Sequence, residues 1–140
     1  MAAGSATSPA EGADADAMVE GFFRAASAVL PAGGMLIFDV IEPGEPSLAG
    51  RYCSSGEDWA VLSETGEDQG ARTLVRRIET FRRTGNLYRR GREVHHVRLF
   101  HAAALCDQLT RCGFSTRTAQ AYGAHILAPR RRAFFCTRRP

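Results

Sequence analysis

Two carboxylates that could contact a ligand belong to one short apolar stretch of the chain. Asp39 lies within residues 35–41, MLIFDVI, and Glu42 follows directly. The stretch is apolar on both faces and too short for a typical helix, so it predicts a strand buried between two layers, as in a parallel sheet. Because ligands of such sheets bind at the carboxyl ends of the strands, Asp39 and Glu42 could contact a substrate or orient its nucleophile. Carboxylates at such positions also cap loops, and the residues alone leave both roles open.

Histidine and aromatic side chains supply the other candidates for a binding site. His95 and His96 are adjacent in a strand-like segment, so they point to opposite faces and cannot chelate one metal ion together. His96 is expected either to face a substrate pocket or to pack across strands. Trp59, Tyr88 and Tyr122 could line an aromatic substrate pocket, with ordinary core or edge packing as the alternative. No cluster of histidine and cysteine has metal-ligand spacing, so no metal site is expected.

Composition excludes several kinds of chemistry. The chain has 140 residues, and its 18 basic residues are all arginine. Without lysine there is no Schiff-base lysine, phosphate-loop lysine or lysine general base. No apolar run approaches the roughly 18 residues of a membrane-spanning helix, so no membrane partner is expected. The net charge is only +3, and nucleic-acid-binding proteins concentrate basic charge on one face, so nucleic acid is not the favoured partner.

The first 17 residues predict a disordered tail, which leaves 18–140 as the folded part. They are small or acidic with no bulky apolar side chain before Met18 apart from Met1, a composition that cannot build a core. They also lack the basic start and apolar centre of a secretory signal. The four cysteines show no paired spacing and lie among apolar residues, which indicates a reducing compartment. The predicted location is therefore the cytoplasm.

Hydrophobic periodicity predicts a helix over 16–30, ahead of the apolar strand. Pro31, Gly33 and Gly34 then end the helix, as such residues commonly do. Residues 42–58 are rich in proline and glycine and predict a loop, and a short strand is expected over 59–63.

A β-hairpin is the clearest prediction for the middle of the chain. Gly85 and Asn86 separate strand-like runs over 73–84 and 87–99, and a Gly-Asn pair between such runs is typical of a two-residue hairpin turn. The register places opposite charges or an aromatic–arginine pair across the strands. The expected pairs are Glu79 with Arg92, Phe81 with Arg90, and Arg83 with Tyr88. Its alternate arginines are expected to form a solvated strand face. A helix over 101–112, ended by Gly113, and strands over 115–121 and 133–137 complete the prediction.

This order of elements resembles the C-terminal half of a class I S-adenosylmethionine-dependent methyltransferase, within a small bacterial branch that carries an arginine-rich hairpin. The resemblance covers roughly residues 16–140. Four segments carry it: LPAGGMLIFDV at 30–40, RRIETFRRTGNLYRRGREVHHVRLF at 76–100, ALCDQLTRCGF at 104–114 and AYGAHILAPRRRAFFCTRRP at 121–140.

The resemblance implies an α/β fold with part of a Rossmann-like methyltransferase sheet. Residues 35–40 resemble the fifth of seven strands, 115–121 the sixth, and 133–137 the seventh. The last strand of that sheet runs antiparallel to the others. The resemblance therefore implies that this chain forms the last three strands of the sheet, the accompanying helices and an inserted antiparallel β-hairpin.

The cofactor implied by the resemblance is S-adenosylmethionine. In that family it binds at the first two strands, through a glycine-rich turn after the first and an acidic residue after the second. The chain contains no Gly-X-Gly sequence, and its Gly33-Gly34 pair precedes a strand instead of following one. Only a glycine turn that leads from a strand into a helix can cradle such a ligand. We therefore expect no cofactor-binding residue here, and no binding or activity by this chain alone.

The function implied by the resemblance is methyl transfer to an acceptor that the sequence does not identify. Direct displacement on a sulfonium depends mainly on positioning the two reactants, and a general base is optional. The sequence therefore identifies no catalytic residue. A cofactor-binding half would have to complete the fold, either in a longer reading of the gene or as a separate chain. Alternatives are a non-catalytic remnant that acts as an interaction module and an arginine-rich RNA-binding module. An unpaired edge on strand 35–41 would favour self-association or a complementary chain.

Overall fold

The computed structural model describes residues 9–140, with side chains described from Asp14 onward. Its elements in chain order are α1 Pro9–Val29, β1 Met35–Ile41, β2 Gly50–Ser55, β3 Trp59–Asp68, β4 Thr73–Thr84, β5 Leu87–Arg98, α2 Ala102–Arg111, β6 Phe114–Ala119, β7 Ala121–Tyr122, β8 His125–Ile126 and β9 Arg131–Arg138. They form two compact units. The first unit combines the chain up to Pro43 with Phe100–Pro140, and the second unit is Gly44–Leu99.

The first unit is built on a three-stranded sheet in the order β1-β9-β6. The central strand β9 runs antiparallel to both neighbours, so β1 and β6 run parallel to each other. Phe134 and Cys136 of β9 are fully buried. They form one core with the helices and β6, whose buried members are Phe23, Leu105, Leu109 and Phe114. The last three strands and the antiparallel final strand expected from the sequence are confirmed.

Strand β1 differs from its prediction in how it is buried. Leu36, Phe38 and Val40 pack against the core, and the ring of Phe38 stacks on Phe134 with centroids 4.9 Å apart. Met35 and Ile37, on the other face, are 53% and 50% exposed. The expectation of a strand buried on both faces is therefore wrong, because the elements that form the described core lie against only one face of this sheet.

The first helix begins earlier than the sequence pattern suggests. It starts at Pro9, so residues 9–17, expected to be part of the tail, are helical, and residues 1–8 lie outside the described part. This segment is rich in alanine, which has the highest helix propensity, and proline suits the first helical position. Bulky apolar residues are needed for packing but not for helix formation. A prediction based on their spacing therefore places the start of this helix too late in the sequence. Helix α2 is confirmed to within one residue at each end.

The second unit is a four-stranded antiparallel sheet in the order β2-β3-β4-β5. The predicted hairpin is confirmed as β4 and β5, with all three expected pairs in register. Gly85 has φ 63°, so this turn uses the conformational freedom of glycine. The prediction of a loop over 42–58 is wrong at Gly50–Ser55, which pairs with an extended β3. Strand formation there depends on a pairing partner more than on its own sequence pattern.

No helix in the described part of the chain combines the length and the apolar character that crossing a membrane requires.

Candidate functional site

Asp39 is held by two side chains from other parts of the first unit. Arg131, at the start of β9, donates a hydrogen bond from Nη1 to Asp39 Oδ1 at 2.7 Å. The hydroxyl of Tyr122, in β7, donates to Asp39 Oδ2 at 3.3 Å. Asp39 and Tyr122, which are 83 residues apart, are thus the two sequence candidates that the fold brings into contact. We call Asp39, Tyr122 and Arg131 the Asp39 cluster.

Tyr122 is oriented by an aromatic neighbour on the same face of the sheet. Its ring meets Phe135 edge-on, with centroids 5.7 Å apart, and the guanidinium of Arg117 lies 4.2 Å from the Phe135 ring centroid. Loss of solvent contact, followed by the negative charge of Asp39, raises the pKa of the Tyr122 hydroxyl above its ordinary value. The phenol therefore stays protonated at neutral pH and acts as a hydrogen-bond donor to Asp39.

The Asp39 cluster can accept a hydrogen bond from a ligand. The Asp39 side chain is 29% exposed, and each carboxylate oxygen has more than one acceptor site. Arg131 and Tyr122 fix the orientation of the carboxylate while leaving this capacity open. An ammonium, amine or hydroxyl group of a ligand can donate the hydrogen bond that this carboxylate accepts.

Glu42 has the contacts of a capping carboxylate. Its Oε1 accepts a hydrogen bond from the backbone N–H of Ala102, the first residue of α2, at 3.1 Å. Its Oε2 accepts one from Arg132 Nε at 3.0 Å. The residue before the helix, His101, makes no side-chain cap of its own. Glu42 therefore satisfies a helix N-terminus from a distant part of the chain.

Trp59 and Tyr88 both lie in the second unit and border the same open cavity without being register partners. Together with Phe81 they line an open cavity of about 580 Å³. The indole of Trp59 lies so close to Gly56 that a methyl group there would stand 2.4 Å from Nε1. The glycine is thus required by the position of the ring, a requirement that the sequence pattern did not reveal.

The two adjacent histidines point to opposite faces of β5, as expected for neighbours in a strand. His95 pairs in register with Arg76 and His96 with Val75. His95 Nε2 lies 3.0 Å from a carboxylate oxygen of Glu93, whereas His96 is exposed and belongs to a different unit from the Asp39 cluster. Among the described residues, no three histidine, cysteine or acidic side chains are grouped so that they could hold a metal ion.

Sequence reasoning missed the importance of two arginines at the start of β9. Arg131 and Arg132 are adjacent in a strand, so their side chains diverge, and each reaches a different carboxylate: Asp39 for the former and Glu42 for the latter. The available signal was a run of arginines at the start of an apolar strand. That run does not reveal which carboxylates the arginines reach, because the partners lie about ninety residues away in sequence.

Comparison with known proteins gives matches among solved structures only. A S-adenosylmethionine-dependent methyltransferase from Clostridium acetobutylicum matches 89% of this chain with a TM-score of 0.74 and 19% identity. A sugar N-methyltransferase from Streptoalloteichus sp. matches 89% at TM-score 0.68 and 22% identity. An amino pentose methyltransferase from Micromonospora echinaspora, with S-adenosylmethionine bound, matches 88% at TM-score 0.61 and 16% identity. No family model matches the sequence, and no curated protein matches it either.

These likenesses concern the fold and cover part of each structure. The matched region is 52%, 50% and 51% of the three chains, so this chain spans about half their length. With the three-stranded sheet and its antiparallel last strand, it has the fold of the C-terminal half of a class I S-adenosylmethionine-dependent methyltransferase. The fold class expected from the sequence is thereby confirmed.

Proposed function

We propose that this chain is the acceptor-side half of a S-adenosylmethionine-dependent methyltransferase. The observation that carries the proposal is the match of 89% of the chain, at TM-score 0.74, to one half of such an enzyme. The function is methyl transfer to an acceptor once a cofactor-binding half completes the fold. Four free cysteines agree with a reducing compartment, and we propose the cytoplasm as its location.

The cofactor-binding half is proposed to come from a second polypeptide segment. The chain contains no Gly-X-Gly sequence, so it lacks the glycine turn that the resemblance implies for holding S-adenosylmethionine. A segment with that turn could be encoded upstream or be a separate chain. The edge of β1 that does not face β9 is the place where its strands would pair, because β1 has a single neighbour in its sheet among the described strands.

The proposed role of the Asp39 cluster is to position the methyl acceptor. Asp39 lies near the carboxyl end of β1, where ligands bind in sheets of this type. Its carboxylate would accept a hydrogen bond from the acceptor's N–H or O–H and aim the lone pair at the methyl group. Since displacement at a sulfonium depends on alignment, such positioning is a sufficient catalytic contribution. Two of the similar structures are named as a sugar N-methyltransferase and an amino pentose methyltransferase, which makes a sugar amine the acceptor class we propose.

The test begins with the gene. The DNA upstream of the first codon is read in all three frames for a segment with a strand, a glycine-rich turn and a helix. The joined polypeptide is then expressed and titrated with S-adenosylmethionine by calorimetry, beside the 140-residue chain. We expect the joined protein to bind the cofactor and the shorter chain to show no saturable binding. Micromolar binding by the shorter chain would contradict the division into two halves.

Asp39→Asn tests the positioning role in the joined protein. We expect the methyl-transfer kcat/KM with amino-sugar acceptors to fall by about 10- to 100-fold, with cofactor affinity unchanged. Asp107→Asn, the same change at an exposed residue of α2, is the matched control and should leave the rate unaltered. Methyl transfer that is insensitive to Asp39→Asn would remove Asp39 from the site. If neither an upstream segment nor a partner chain confers methyl transfer, the proposed function is wrong.

A further inference from the structure

Two arginines face each other at the end of the hairpin in the second unit. Arg82 and Arg89 are directly opposite in the register of β4 and β5, and both are exposed. Like charges at opposite positions of an antiparallel pair repel and destabilise the pairing. The facing arginines thus destabilise the hairpin unless a negatively charged group neutralises them.

The neighbouring arginines are neutralised by acidic residues of the same unit. Arg83 lies 3.7 Å from Asp58, and Arg90 lies 2.6 Å from Glu79. Strand alternation puts Arg83 and Arg90 on one face of the sheet and Arg82 and Arg89 on the other. Among the side chains that the structure describes, from Asp14 onward, no carboxylate forms an ion pair with Arg82 or Arg89. Two positive charges therefore remain available on that face.

Other groups beside this pair can take part in binding. Trp59 of β3 is opposite Arg82 in register and is 39% exposed. In the next row along β4, Thr80 is opposite Gly91. A methyl group at Gly91 would lie 2.6 Å from the Thr80 hydroxyl oxygen, so that hydroxyl leans across the glycine toward β5. By register, a tryptophan, two arginines and a threonine hydroxyl thus lie at neighbouring positions on the same face of the sheet.

We propose that Arg82 and Arg89, with Thr80 and Trp59, form a binding site for the phosphate group of a small-molecule phosphate ester. Guanidinium groups match the oxygens of a phosphate in pairs of parallel hydrogen bonds, and a dianion neutralises both charges together. The Trp59 ring packs against the organic group that carries the phosphate. This site is independent of methyl transfer and belongs to the second unit alone.

The single tryptophan makes this site observable in the chain as it is. Trp59 is the only tryptophan of the 140 residues, so its fluorescence reports binding at this position. The chain is titrated with inorganic phosphate, with ribose 5-phosphate and with adenosine monophosphate, and calorimetry is run in parallel. We expect saturable binding of all three, with adenosine monophosphate the tightest because its base can stack. Inorganic phosphate binding as tightly as the nucleotide would contradict the role of Trp59.

Charge variants decide whether the two arginines form the site. The double variant Arg82→Gln/Arg89→Gln is expected to weaken phosphate-ester binding by at least about tenfold, because hydrogen bonds to a charged group are lost. Arg77→Gln, at an exposed arginine of β4 on the opposite face, is the matched control and should change the affinity less than about twofold. Arg89→Glu should abolish binding and raise the melting temperature by pairing with Arg82, which shows that loss of binding is not loss of fold.

Three results would overturn the proposal. The first is absence of saturation by any of the phosphate compounds. The second is an Arg77→Gln variant that weakens binding as much as the double variant, which would indicate a general charge effect. The third is binding of a single-stranded RNA oligonucleotide by a chain that does not bind the mononucleotide, which would assign the arginines to nucleic acid instead.

Discussion

Asp39 and Glu42 are three residues apart in the sequence, yet their surroundings give them different chemistry. Asp39 keeps acceptor capacity toward solvent beside Tyr122 and Arg131. Both carboxylate oxygens of Glu42 accept hydrogen bonds from other residues of the chain. The sequence identified both residues by type and position but could not separate their roles, because Arg131, Arg132 and Ala102 reach them only through the tertiary fold.

Glu42→Ala is expected to destabilise the first unit. The substitution removes the cap on the N-terminus of α2 and leaves the half-buried guanidinium of Arg132 without its carboxylate. Loss of a cap of this kind costs about 1–2 kcal/mol of unfolding free energy, which lowers the melting temperature by roughly 4–8 °C. Thermal unfolding followed by circular dichroism measures the change. The control is Glu45→Ala, at an exposed loop residue. An unchanged melting temperature for Glu42→Ala would show that the cap contributes little to stability.

The hairpin β4–β5 was predictable because its determinants are local. Gly85 and Asn86 mark the turn, and the register then follows from pairing Glu79 with Arg92 and Phe81 with Arg90. Strand β2 was not predictable in the same way, since its sequence GRYCSS has no apolar alternation and pairs only because β3 lies beside it. The exposure of Ile37 was equally hidden, because an apolar strand does not reveal whether one or both of its faces are covered.

The pH dependence of the hairpin is expected to depend on Glu79. Hydrogen bonding by Arg90, reinforced by Arg92, holds the pKa of the Glu79 carboxyl below its ordinary value. A carboxyl whose pKa is lower in the folded state stabilises that state above its unfolded pKa, about 4.3 for glutamate, and this contribution is lost as the pH falls through the folded value. Glu79→Gln should therefore lower the melting temperature at pH 7, and the difference from the parent chain should shrink below pH about 4.

The matched control for this experiment is Glu57→Gln, which removes one carboxylate from an exposed turn residue of the same unit. Melting temperatures are compared at both pH values in one buffer series. A Glu79→Gln difference that persists unchanged in acid would mean that packing of the side chain, and not its ionisation, stabilises the hairpin.

At the scale of the whole molecule, the sheet of the first unit is open in two ways. Strand β1 has β9 as its one neighbour among the described strands, and its outward face carries Met35 and Ile37, which are half exposed. An unpaired edge and an uncovered apolar face are both features through which proteins associate. The cofactor-binding half that we propose would cover both, so the proposal ties the stability of this chain to the same partner as the proposed methyl transfer.

The 140-residue chain is accordingly expected to self-associate when expressed alone. Light scattering after size-exclusion chromatography, over a wide range of protein concentration, should show a mass that rises with concentration. Ile37→Lys places a charge on the uncovered face and should reduce association without lowering the melting temperature. Leu36→Lys, the same type of change on the core face of β1, should instead unfold the first unit, because it buries an unpaired charge. A monomer at every concentration with a cooperative melt would show that the edge and face of β1 need no partner, and would count against a missing half.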